Sequence, residues 1–118
     1  VKPRKQSEAS TFLLNEALVH QLLQGITFRV KLFQEEDGSV TLGMDELELY
    51  VNGDTEEKAF EELAEDAIVY AQDYMRDPHR YFNAPNRRSH FPYLFKVLLC
   101  NNKEEVKQLL KDAELQRS

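Results

Sequence analysis

The sequence predicts an α+β domain in which a short antiparallel three-stranded meander is packed by one long helix, with an N-terminal helix before it and further helices after it. Three observations predict it. Apolar and polar residues alternate through three consecutive short runs between Ile26 and Val51, the period of strands buried on one face only. The runs are punctuated by turn residues, above all Asp37-Gly38, the dipeptide that suits a tight hairpin. From Ala59 to Tyr74 the period lengthens to three and four, which winds the apolar residues onto one stripe of a helix.

In chain order, residues 1–10 read as a flexible arm and 11–118 as one domain, with 26–75 as its core and 87–115 as a C-terminal helical part. Residues 11–24 repeat Phe12, Leu13, Leu18 and Leu22 at helical spacing and stop at Gly25. This helix either mediates dimerisation or closes the far side of the sheet. The first strand places Ile26, Phe28, Val30 and Leu32 opposite Thr27, Arg29 and Lys31, the second alternates Val40, Leu42 and Met44, and the third sets Leu47, Leu49 and Val51 against Glu46, Glu48 and Tyr50. An antiparallel meander of this kind leaves one face wet. Asp54 or Thr55 caps a helix from about Glu56 to Met75, whose first-turn acids suit the positive end of its dipole. Asp77-Pro78 breaks that helix, and 79–86 reads as an irregular aromatic connector. Asn86 or Ser89 caps another helix ending near Cys100, and a last one from about Lys103 lays Val106, Leu109, Leu110 and Ala113 on one side.

A chain of 118 residues buries about two-thirds of its unfolded surface and needs no covalent staple. Its single cysteine, Cys100, sits in an apolar run and is expected to be a packed, reduced thiol. With no apolar run of spanning length and no leader peptide, the chain is expected to be soluble and cytoplasmic. Charge is unevenly placed. Residues 35–75 hold fourteen acids against the one base Lys58, a balance of −13, while 1–34 sum to +3 and 76–118 to +4 within a total of −6. Such separation favours a basic partner and repels nucleic acid from the acidic face.

Chemistry is sparse. His20, His79 and His90 fall in different elements with no companion at ligand spacing, and no nucleotide, metalloprotease or hydrolase motif occurs. No enzyme activity, cofactor or metal is expected. The basic flanks offer Arg76, Arg80, Arg87, Arg88 and Lys96 around the aromatic connector, so a DNA-binding regulator acting through Arg87 and Arg88 is the alternative. The last helix mixes Lys103, Lys107 and Lys111 with acids, which makes it a poor groove reader.

Two resemblances enter on particular residues. Glu35 through Leu42, followed by Asn52-Gly53-Asp54-Thr55-Glu56-Glu57-Lys58-Ala59, resembles the HicB class of bacterial antitoxins over roughly residues 26–72. Gly53-Asp54-Thr55 is the most specific part. Ala84 through Tyr93, with the leucine-rich helix and Lys-Glu-Glu-Val-Lys after it, resembles RelB-like antitoxins of RelE/RelB systems. The chain departs from the HicB pattern at Met44–Leu49, where that class carries a Pro-rich loop. The first likeness implies a partial RNase H-like fold. Together they imply a bacterial type II antitoxin that binds a small basic RelE- or HicA-like ribonuclease and represses its own operon by binding operator DNA as a homodimer.

Complementary fields speed encounter, whereas apolar anchors supply most affinity. The expected toxin-binding residues are therefore Glu46, Glu48 and Tyr50 on the exposed sheet face and Glu61, Glu62 and Glu65 on the helix. Tyr74, Tyr81 and Phe82 are further anchor candidates. A third reading, a metal-dependent nuclease relic of the RNase H type, would need those carboxylates to converge on a divalent ion.

Overall fold

The computed structural model describes residues 25–117, so the predicted arm and the predicted helix over 11–24 lie outside the described residues. Strands β1 (Arg29–Gln34), β2 (Val40–Met44) and β3 (Leu49–Gly53) follow one another and pair antiparallel, as the alternation predicts. The hairpin between β1 and β2 closes as its residues demand. Gly38 takes a φ of 90°, open to residues without a Cβ, and Ser39 donates from both its backbone N–H and its hydroxyl to Asp37 Oδ1 at 2.9 and 2.6 Å.

The three-stranded meander is incomplete as a description of the sheet. A fourth strand, β4 (Glu114–Arg117), pairs parallel to β1, and the sheet runs β3-β2-β1-β4. The expected C-terminal helical part over 87–115 ends earlier for this reason. Nothing in Glu114-Leu115-Gln116-Arg117 alternates strongly enough to announce a strand, and these residue types favour helix. They extend because the outer edge of β1 is open to them: Glu114 N–H donates to Phe28 O at 3.1 Å, and Leu115 lies opposite Val30.

The third strand is also shorter than expected. Asp45–Leu47 form a 3₁₀ turn and Glu48 follows in the left-handed region at a φ of 55°. Leu47 and Val51 still reach the core, but the backbone between β2 and β3 is turned, not extended.

Helix α1 (Glu56–Arg76) begins as its sequence predicts, and the open choice of cap resolves to Thr55, whose Oγ1 accepts from Lys58 N–H at 3.2 Å. It buries Ala59, Phe60, Leu63, Ala64, Ala67, Ala71 and Tyr74 against the sheet. Four alanines on that stripe let the helix axis approach closely. The aromatic connector is not irregular: it folds as two short helices, α2 (Pro78–Phe82) and α3 (Pro85–Arg88), each with proline in its first turn, where a missing N–H costs nothing. Helix α4 (Phe91–Leu98) starts at His90, not at Asn86 or Ser89. Helix α5 (Lys103–Lys111) is capped by Asn102, whose side chain accepts from Glu105 N–H at 2.9 Å. Leu94 and Val97 of α4 and Val106 and Leu110 of α5 complete one core with the sheet and α1. None of the described helices is long and apolar enough to cross a membrane.

Candidate functional site

Helical spacing divides the carboxylates of α1 into two flanks on either side of its buried stripe. One flank carries Glu57, Glu61 and Glu65, and the basic C-terminal segment lies against it. Lys107 Nζ stands 2.6 Å from Glu57, 3.7 Å from Glu61 and 3.4 Å from Glu104, Lys103 is 3.0 Å from Glu65, and Lys111 also bonds Glu57. Arg117 of β4 adds a pair with Glu56 at 3.3 Å. Hydrogen bonds from Lys107 and Lys111 hold the Glu57 carboxyl down at about 2. Exposed pairs of this kind add little stability each, but together they cancel much of the charge that the linear sequence leaves separated.

The other flank carries Glu62, Asp66, Val69 and Asp73 at spacings of four, three and four. Among the described residues Glu62 and Asp66 enter no salt bridge, and Asp73 pairs only with its neighbour Arg76, at 3.2 Å. This flank borders β3. Asp66, Val69, Tyr70, Asp73 and Arg87 line a groove of about 400 Å³ with Leu47, Glu48 and Leu49. Val69 is 54% exposed in its middle, an apolar side chain set among acids.

The expected partner-binding residues therefore separate. Glu46 and Glu48 are not on the exposed sheet face. Glu46 lies in the 3₁₀ turn, where its Oε1 accepts from Arg29 N–H at 3.0 Å and its Oε2 is buried. Glu48, just after the turn, opens onto the groove. Tyr50 alone stands on the open face, 59% exposed, with its hydroxyl donating to Asp45, which also takes Lys31 at 2.5 Å. Its ring lies over Gly43, where a Cβ would come within 2.7 Å of the ring carbons. Of the helix acids, Glu61 and Glu65 are held by α5 and only Glu62 faces away from it. Asp66 and Asp73, not among the expected residues, belong with Glu62. Their i, i+4 and i+11 relation was visible, but nothing local said which flank α5 would cover. Of the further anchors, Tyr74 is buried, Tyr81 is half-buried and Phe82 is exposed.

The alternative nucleic-acid residues are tied inward. Arg87 donates to Tyr70 Oη at 2.9 Å and lies over that ring, 5.3 Å from its centroid. Arg88 donates to Phe82 O at 2.9 Å and lies over the Phe82 ring. Both guanidinium groups brace the aromatic segment, Arg88 remaining exposed and Arg87 half-buried. Among the described residues no group of three or more His, Cys, Asp and Glu is placed to hold a metal ion. Cys100 is half-buried, and burial pushes its thiol pKa up.

His90, 4% exposed, sits behind the groove. His90 Nδ1 lies 2.6 Å from the Tyr70 hydroxyl oxygen, which also accepts from Arg87, and its Nε2 is 3.9 Å from Glu48. Burial, reinforced by Arg87 and opposed by Glu48, lowers the imidazole pKa below 6.5. The unfolded chain thus takes this proton more readily than the folded one. Stability from this residue is fully present above 6.5 and declines as pH falls below it, with a slope of at most about 1.4 kcal/mol per pH unit. Urea unfolding midpoints of the wild type should fall on acidification through that range, and His90→Gln should flatten the fall.

A family model for PHD-like antitoxins of RelE/RelB toxin–antitoxin systems matches residues 1–112. The chain belongs to that antitoxin family. A crystal structure of a protein assigned as the antitoxin part of a toxin/antitoxin system of Syntrophomonas wolfei subsp. wolfei is 39% identical, with a TM-score of 0.72 over 87% of this chain and 70% of the other. No curated protein matches. The antitoxin thus has a toxin as its partner, and the two resemblances read from the residues led to the right class of system. The matching model spans the stretches that carry both resemblances.

Proposed function

We propose that the antitoxin neutralises a small basic ribonuclease toxin, RelE- or HicA-like, by covering it without catalysis. The surface that does so is Glu48, Glu62, Asp66 and Asp73, with Val69 as the apolar anchor among them and Tyr50 as a second anchor on the open face of the sheet. One observation carries this reading: α5 cancels one acidic flank of α1 and leaves the other open. A ribonuclease needs a positive surface to hold RNA, and an open acidic flank competes for that surface. Charged pairs at such a rim act chiefly on the rate of encounter.

The test is co-expression with the product of the reading frame that neighbours this gene, which is expected to be a small basic protein, followed by association kinetics. Glu62→Gln with Asp66→Asn should slow association several-fold, up to roughly tenfold at low salt, and flatten its salt dependence. Glu61→Gln with Glu65→Gln removes the same charge from the flank that α5 covers and should change the rate little. Equal effects of the two pairs, or none from either, would remove the open flank from the interface.

A further inference from the structure

The groove beside the open acidic flank runs along a strand whose outer edge has no strand partner among the described residues. β3 is one of the two edges of the sheet, and among the described residues the backbone bonds outside regular elements include none from residues 49–53. Its neighbour is α1, which runs antiparallel to it: Gly53 at the end of β3 abuts Lys58 and Ala59 at the start of α1, while Leu49 at the beginning of β3 shares the groove with Asp66, Val69 and Asp73. Exposed edges template pairing with another chain, and proteins usually blunt them with lysine, proline or a covering loop. Leu49-Tyr50-Val51-Asn52-Gly53 contains none of these residues. At the opposite edge β4 has four residues, and Arg117 and the neighbouring Arg29 sit there in ion pairs with Glu56 and Glu114. Among the described residues, only the β3 edge thus joins free backbone groups to a groove with its own charge and apolar floor.

We propose that β3 receives an extended segment of the toxin as a fifth strand, which rests on the proposed function above. The geometry sets the chemistry of that segment. A strand added to β3 turns alternate side chains towards α1, where they meet Glu62, Asp66, Val69 and Asp73, and the others towards the open face beside Tyr50 and Asn52. The α1-facing positions are therefore lysine or arginine opposite the carboxylates, with an apolar residue opposite Val69. Backbone hydrogen bonds hold the strand, and the carboxylates select its charge. Arg87 also lines the groove and keeps its charge while it is held on Tyr70, so the basic side chains of the segment belong opposite Glu62, Asp66 and Asp73 and not beside Arg87.

Amide hydrogen exchange on the full chain, free and in complex with the product of the neighbouring reading frame, tests this. Binding should slow every second amide of residues 49–53, those turned away from β2, at least tenfold, and leave residues 114–117 unchanged. Val69→Arg, an exposed substitution that circular dichroism should show to be folded, should weaken the complex at least tenfold. A complex that forms with unchanged exchange at 49–53, or that tolerates Val69→Arg, overturns strand addition and leaves the proposed function standing. Protection at 114–117 instead overturns it too. Failure of the two proteins to bind at all overturns the proposed function, and strand addition falls with it.

Discussion

Replacing Tyr74 by alanine is expected to remove about 4 kcal/mol of folding stability, the upper range for a large buried aromatic, a large share of the roughly 5–15 kcal/mol that keeps such a domain folded. Tyr74 is fully buried at the C-terminal end of α1. Its ring stacks on Tyr81 at 5.1 Å, meets Tyr70 edge-on at 6.1 Å and lies 5.9 Å from Phe91. These partners belong to α1, α2 and α4, so one side chain ties the two later helices to the end of α1. Truncation would leave a cavity that the short helices cannot close by sliding, because prolines and braced arginines hold them. Tyr74→Phe keeps the ring and loses only the bond from its hydroxyl to Arg87 O at 3.1 Å, so it should cost about 1 kcal/mol. Urea unfolding curves measure both. Equal midpoints for the two variants would show that the ring packing does not hold these helices to the core.

Gly53→Val should cost about 3 kcal/mol, at the high end of what overpacking does. A Cβ at Gly53 would lie 2.6 Å from Ala59 N and 2.9 Å from Ala59 Cα. Both atoms are backbone in the second turn of α1, and neither can swing aside as a side-chain tip would. The helix start would have to lift from the end of β3, which would also strain the Thr55 cap. Gly38→Ala is the contrasting case. No atom lies within 4 Å of a Cβ there, but its φ is 90°, so only the conformational cost of about 1 kcal/mol applies. A thermal melt in which Gly38→Ala proved the more damaging variant would show that close approach is not what Gly53 provides.

Gly53 also explains why its motif was legible. Gly53-Asp54-Thr55 carried the antitoxin resemblance, and the structure gives two of its residues local reasons: Gly53 lets the helix meet the strand, and Thr55 caps the helix. The hairpin at Asp37-Gly38 and the apolar stripe of α1 were readable for the same cause, since each is decided by residues a few positions apart. The toxin-facing residues were less so. Glu61, Glu62 and Glu65 look alike in the sequence and differ only in whether a lysine of α5 reaches them. Glu46 reads as an outward strand residue, and the 3₁₀ turn converts it into an acceptor for Arg29 N–H.

By itself, then, the sequence determined the alternation of β1, β2 and β3, the long capped helix, the central excess of acid and the kinship with antitoxins. All rest on periods, turns and compositions short enough to be read along the chain. Tertiary structure decided the rest. It drew Glu114–Arg117 to the edge of β1 as a strand and laid Lys103, Lys107 and Lys111 against one flank of α1. That pairing neutralised one acidic flank and left the other beside a strand edge without a partner among the described residues. Each of these choices depends on a partner dozens of residues away, whose position is set by how the core packs and by nothing in the local pattern.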